Sequence, residues 1–267
     1  MKKNILIVTL LLYTNVIYAN NNVNIALGIP IKENDTNYFH IERSQYVLSY
    51  NKELNVANWV SYYLCSADFG NVKRYKGNFI TDTTLPLDYY RVKHSDYTNS
   101  GYDRGHLVRS EERTKTDTDN VATFILTNII PQTPDLNRKI WLQFENYCKN
   151  LCVKEKKHLF INTGGAYYNS KIKEKIGIPD SCWKIVIILD SHQTINDIDS
   201  NTQSIAVMMP NTSNLTGKQW TEYITTINNV ETVTGYNFFN KIGNKYQQYI
   251  ENKLYAIPEN NTKKGSK

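Results

Sequence analysis

Between Gly101 and Leu151 the chain carries three local patterns in succession, and few folds accommodate all three. The first is Gly101-Tyr102-Asp103-Arg104-Gly105-His106, a histidine tightly flanked by an acid, a base and a glycine. The second is Thr123 to Ile130, β-branched and aromatic enough for a strand, which Pro131-Gln132-Thr133-Pro134 should stop. The third is a helix from about Pro134 to Leu151. Thr133 can cap it with Pro134 in its first turn, and Leu136, Ile140, Phe144, Tyr147 and Leu151 recur at three and four residues to mark its buried face. Asn137, Trp141 and Glu145 fall on a neighbouring side.

Sheet-forming segments lie on both sides of this unit. Tyr46 to Tyr50 and Ala57 to Tyr63 read as a hairpin across the polar turn Asn51 to Asn55, with Trp59 and Val60 on opposite faces and Trp59 in the core. Further strands are expected at His158 to Thr163, Cys182 to Leu189 and Gln203 to Met209; Gly164-Gly165 should break the first and Pro210 the last. Trp220 to Ile227 and Lys241 to Leu254 read as helices. Residues 66–100 read as a loop rich in basic and aromatic side chains, among them Lys73, Arg74, Tyr75, Lys76, Tyr89, Tyr90, Arg91, Lys93 and His94. Such a segment can grip phosphates and stack on bases, or simply be solvated over packed tyrosines. The Asn-rich stretch up to about residue 37 lacks apolar periodicity and reads as a mobile arm or irregular lead-in.

The 267 residues suffice for one sizeable core, so a single domain over 20–267, with its core at about 38–255, is expected. Residues 1–19 stand apart: Lys2 and Lys3 precede the apolar run Ile5 to Leu12, and Ala19 closes a segment short for a membrane span. This is the pattern of a secretory signal peptide, although Ile17 is bulky for its place before the cut. A mitochondrial transit peptide would be arginine-rich, and no Arg precedes Arg43. Export implies a secreted or periplasmic protein with no stable membrane insertion after processing. Removing Lys2 and Lys3 lowers the formal charge from +6 to +4, a mild basicity that favours polyanions but equally suits any soluble protein. In an exported chain Cys65, Cys148, Cys152 and Cys182 read as disulfide partners, in any of three pairings. Cys148 and Cys152 share a helix face, so each would bond elsewhere or one pair would be absent. A zinc site of Cys148, Cys152 and His158 lacks a fourth ligand.

His106 can serve as a general base, because an imidazole with a near-neutral pKa accepts a proton from water at working pH. Asn137 offers an amide oxygen suited to a hard cation, and with Thr133 as the better cap it is free for that task. These are parts for metal-assisted phosphodiester cleavage. Gly-x-Ser-x-Gly, His-Glu-x-x-His and Gly-x-x-x-x-Gly-Lys patterns do not occur, which leaves serine hydrolase, zinc protease and nucleotide triphosphatase chemistry without local support.

The Asp-Arg-Gly-His segment resembles the signature of the DNA/RNA non-specific endonuclease family of the endonuclease G type. The likeness extends through Leu107, Thr127-Asn128-Ile129-Ile130-Pro131-Gln132, Leu136-Asn137-Arg138 and Trp141 to Glu145, and takes in Tyr46 to Tyr50, Asn58 to Val60 and Val207 to Asn211. It implies an α+β fold, a mixed or antiparallel central sheet flanked by helices, with a ββα-metal (His-Me finger) motif. It assigns His106 as general base and Asn137 as the single direct protein ligand to Mg2+, for which Mn2+ substitutes. Glu145, about two turns beyond Asn137, would hold a metal-bound water. Arg104 would clamp a phosphate or the transition state, and Asp103 would anchor the loop. Asn128 and Gln132 match polar family positions near metal and phosphate, Arg138 is a candidate phosphate contact and Arg91 a candidate at the substrate groove. The implied activity is hydrolysis of DNA and RNA to 5′-phosphate products. The rival readings are a catalytically silent nucleic-acid-binding protein of the same fold, and a phosphodiesterase for a smaller substrate. A homodimer and an inhibitor protein are further partners that the resemblance suggests.

Overall fold

A computed structural model describes residues 22–36 and 38–258. The expected signal peptide and the basic tail at Lys263, Lys264 and Lys267 lie outside the described residues. Seven strands form one antiparallel sheet in the order β1-β2-β3-β6-β7-β8-β9. They are β1 (Phe39–Glu42), β2 (Val47–Asn51), β3 (Val56–Leu64), β6 (His158–Ile172), β7 (Ile176–Leu189), β8 (Gln203–Pro210) and β9 (Ile224–Thr225). A separate ribbon pairs β4 (Asp103–His106) with β5 (Ile129–Gln132). The helices are α1 (Asp117–Ala122), α2 (Trp141–Val153), α3 (Ile227–Thr234) and α4 (Asn244–Asn252). This is the expected α+β class.

Strand alternation divides the core into two halves. Trp59, Trp183, Ile185 and Ile187 point to one face of the sheet, where they pack with Ile25 and Leu27 and with Ile227, Val230 and Ile250 of the C-terminal helices. Val60, Tyr62, Cys182, Val186 and Ile188 point to the other, against the β4-β5 ribbon and Phe144, Cys148 and Leu151 of α2. The hairpin across Asn51 to Asn55 and the opposed faces of Trp59 and Val60 are as expected.

Several segments depart from the sequence reading for identifiable reasons. The lead-in is ordered by its asparagines: Asn22 caps the 3-10 turn Val23–Ile25, and Asn24 accepts a hydrogen bond from the Tyr63 backbone N–H at 3.0 Å. β6 continues through Gly164-Gly165; a Cβ at Gly164 would lie 2.7 Å from the Asn58 carbonyl and 2.8 Å from the Trp183 ring, so small size, not strand termination, is required there. Thr123 to Ile130 is largely not a strand, because apart from a single bridge of Ile125 to Ile80 it is interrupted by a 3-10 turn at Leu126–Asn128, and the paired strand starts at Ile129, running on through Pro131. Trp220 to Ile227 divides into a 3-10 turn at Trp220–Tyr223, then β9, before α3 begins. The four cysteines are free thiols, and Cys148, Cys152 and Cys182 are buried as small apolar side chains. Burial pushes the Cys182 thiol up to about 12. Among the described residues no three His, Cys, Asp or Glu side chains gather to hold a metal, which removes the Cys148/Cys152/His158 zinc site. No described helix is long and apolar enough to cross a membrane.

Candidate active site

The ribbon and α2 make a β-β-α unit on one face of the sheet. In the ribbon Asp103 faces Gln132, Arg104 faces Pro131, Gly105 faces Ile130 and His106 faces Ile129. Gly105 cannot carry a side chain, since a Cβ would collide with the buried Gln132 amide. Asn128 is fully buried, and its amide pins the chain just beyond His106. Its Oδ1 accepts from the Val108 N–H at 2.9 Å, and its Nδ2 donates to the Val108 carbonyl at 3.0 Å and the Thr123 carbonyl at 2.9 Å. Asn128 thus acts as a ribbon support, while the buried Gln132 amide lies against Gly105. Replacing Asn128 by alanine strands buried backbone groups, and a loss of about 3 kcal/mol in unfolding free energy is expected by urea denaturation. A loss below about 1 kcal/mol would mean the pinning is dispensable.

His106 is buried between aromatic rings, with Phe124 edge-on at 5.0 Å and Phe79 at 5.3 Å between centroids. Its Nε2 has no hydrogen-bond partner in the structure. Burial, then the charges of Arg74 and Arg109, lower its pKa to about 3. The ring is therefore neutral across the working range and free to accept a proton, but it is a weaker base than the near-neutral imidazole expected from the sequence, because burial and two arginines disfavour its cation.

Asn137 sits inside a π turn, Leu136–Ile140, that precedes α2, whereas an unbroken α-helix was expected. Eight α-helical steps would place Asn137 and Glu145 about 80° apart around the axis; the π turn absorbs about one residue and brings them to within roughly 20°. The Thr133 cap is as expected, its Oγ1 accepting from the Leu136 N–H at 3.3 Å. Asn137 Nδ2 donates to Asp103 Oδ2 at 2.9 Å, which leaves the amide oxygen as the atom suited to a cation. Asp103 also receives a two-pronged ion pair from Arg138, at 2.7 and 2.6 Å. Burial opposes the charge on Asp103, but the hydrogen bonds from Arg138 and Asn137 outweigh it and hold the carboxyl below the usual range. Arg138 is thus tied to Asp103 at the exposed rim of the unit.

Glu145 is buried, its Oε2 3.5 Å from Arg109 Nε and its Oε1 3.9 Å from Lys184 Nζ. Burial pushes its carboxyl up to about 7 against the pull of Lys184 and Arg109. Arg104 donates to the His94 carbonyl at 2.9 Å and lies against Phe79 and Tyr97, each 5.6 Å to the ring centroid. Arg91 donates to the Leu85 carbonyl at 2.7 Å. Both arginines are engaged in holding the 79–97 loop.

The structure adds cations that sequence reasoning did not assign to the site. Arg74 stacks over Phe124, 4.8 Å to the centroid, and bonds the Ser110 hydroxyl. Arg109 pairs with Glu111, which also pairs with Lys149. Arg74, Arg109, Ser110, Thr114 and Lys149 line a groove of about 600 Å³. Available signals were the basic-aromatic loop for Arg74 and the one-turn spacing from Glu145 for Lys149. Lys184, inside an apolar strand, had only its incongruity.

A buried imidazole in a β-β-α unit, with Arg74 and Arg109 acting both on it and in a cation-lined groove, is an arrangement suited to a polyanionic substrate, and comparison with known proteins agrees. The profile of the DNA/RNA non-specific endonuclease family matches residues 21–245. A nuclease from Nostoc sp. is 42% identical over 227 residues, spanning 84% of this chain and 81% of the relative. Nuclease C1 of Cunninghamella echinulata is 26% identical over 76% of this chain and 83% of its own. The solved EndoG/EndoGI complex, described as showing the mechanism of EndoG inhibition, contains a chain that superposes with a TM-score of 0.71 at 22% identity, covering 82% of this chain and 91% of that one. The chain belongs to the DNA/RNA non-specific endonuclease family, and is an endonuclease acting on nucleic acid.

Proposed function

We propose that this chain is a secreted or periplasmic, Mg2+-dependent endonuclease that hydrolyses DNA and RNA with little sequence preference and leaves 5′-phosphate ends. The observation that carries the reading is His106: a neutral imidazole with an unpartnered buried Nε2, set beside Arg74 and Arg109. The imidazole takes the proton of the attacking water. Arg74 and Arg109 hold the phosphate and oppose the charge that builds on its oxygens, in a setting where burial strengthens each charge. Asp103 fixes the Asn137 amide, so that its oxygen faces a cation without reorganisation.

The residues fit Mg2+ in particular. One neutral amide oxygen, with no cage of acids or histidines among the described residues, suits an ion that keeps several waters and binds jointly with phosphate, and Mn2+ is compatible with the same donor. When bound, Mg2+ would neutralise charge on the phosphoryl oxygens and assist the departing 3′ oxygen. Glu145 supplies a carboxylate to orient a water of that ion. The signal-like segment 1–19 supports export, and the inhibitor complex of the solved neighbour supports a protein inhibitor as a partner.

The test is incubation of the mature protein with closed-circular plasmid and with total RNA, in Mg2+, in Mn2+ and in EDTA. Both polymers should be degraded with either metal and spared by EDTA, and the ends should accept a 5′ label only after phosphatase treatment. Cleavage of one polymer alone would remove the sugar-non-specific reading, and undiminished cleavage in EDTA would remove the metal.

A further inference from the structure

Lys184 is a lysine where a core strand calls for an apolar residue. It lies in β7 opposite Thr163 and Val207, between Trp183 and Ile185, with its side chain 1% exposed. Its ammonium donates to the Tyr62 hydroxyl and to the Leu107 carbonyl, both at 3.2 Å, and sits 4.9 Å from the Trp141 ring centroid. Its acidic neighbour is Glu145, at 3.9 Å. Burying an ammonium is costly, and apolar side chains of similar volume often match or exceed the stability of buried ion pairs. Packing alone gives no reason for a lysine here.

Its contacts supply one. Leu107 follows His106 in the chain, while Glu145 is on α2, so one ammonium reaches both halves of the β-β-α unit from the sheet beneath. We propose that Lys184 is a positioning residue that compensates the buried Glu145 carboxylate and ties it to the backbone beside His106, so that the charged form of Glu145 is favoured and oriented. This rests on the active-site reading of Glu145 given above. The groups that face Glu145 act in both directions. Lys184 from β7, Arg109 from the chain after β4 and Arg74 from the basic loop favour its charge. Glu112 from the Ser110–Glu112 turn opposes it, and Tyr62 of β3 and Cys148 of α2 are neutral neighbours. Arg109 is itself shared with Glu111 and Asn146, and among the described residues Lys184 has no second acid within ion-pair distance. Lys184 is thus the cation committed to Glu145.

The experiment compares Lys184→Met and Lys184→Gln with wild type on plasmid in Mg2+, reading kcat, KM and the pH profile together with Tm. Lys184→Gln retains a donor for the Leu107 carbonyl but no charge. Both variants should lose about tenfold or more in kcat with little change in KM, as for groups that orient a metal site from behind. In both, the acid limb of the profile should move to higher pH. In a Glu145→Gln background, Lys184→Met should add no further loss. Unchanged kcat, an unmoved acid limb, normal behaviour of Lys184→Gln beside a slow Lys184→Met, or additive losses with Glu145→Gln would each overturn the proposal. If neither variant folds, Lys184 is a folding element and the proposal is overturned. Full activity of Glu145→Gln alone would instead remove the active-site reading of Glu145.

Discussion

Replacing His106 with alanine is expected to lower kcat at least about a hundredfold while leaving Mg2+-dependent DNA binding intact, the usual lower scale for a positioned general base. Steady-state plasmid cleavage and fluorescence anisotropy on a labelled duplex would measure the two effects. Turnover unchanged from wild type would remove His106 from the chemistry. The pH dependence follows from the directions of two shifts. His106 is depressed to about 3 by burial, Arg74 and Arg109, so it loses its proton far below the working range and creates no acid limb there. Glu145 is raised to about 7 by burial, so its carboxylate appears only as pH rises through that value. The wild-type rate should accordingly climb through neutrality, and Glu145→Gln should flatten that climb as well as lower the rate.

Asn137→Ala is expected to cost at least about a hundredfold in activity at limiting Mg2+, because even groups one step removed from a metal cost ten- to a hundredfold. Its fold should survive. Thr133, not Asn137, caps the helix, and Asp103 keeps its two contacts to Arg138, so Tm should change little. A Mg2+ titration of plasmid cleavage, run beside thermal melts, separates the two. An unaltered Mg2+ dependence would mean that Asn137 is not the cation's ligand.

Much of the site was legible because its signals are local. Asp103, Gly105 and His106 lie within four consecutive residues, and the residues that bury α2 recur with the helical period. The alternation that sends Trp59 and Val60 to opposite faces was likewise visible in the hairpin. What escaped depends on partners distant in the chain. Thr123 to Ile130 has strand composition, but the Asn128 amide bonds the backbone in place of a neighbouring strand. Arg104 and Arg91 have the right chemistry for phosphate, and the structure adds that each commits one donor to a carbonyl, of His94 and Leu85, a tie that depends on the fold. Arg74 and Arg109 are ordinary arginines until the fold sets them beside His106. Export suggested bonded cysteines, whereas three of the four lie in an apolar core as thiols. The asparagines that made residues 22–36 look unstructured are what cap and anchor that segment.

The π turn at Leu136–Ile140 means that the alignment of Asn137 with Glu145 is stored as a length of chain and not as the identity of any side chain between them. Conservative exchanges among those residues leave the phase alone. Loss of a single residue there would leave seven regular helical steps and much the same phase, whereas gain of one would swing the two groups about a quarter-turn out of step, silencing the centre with every reactive side chain still in place.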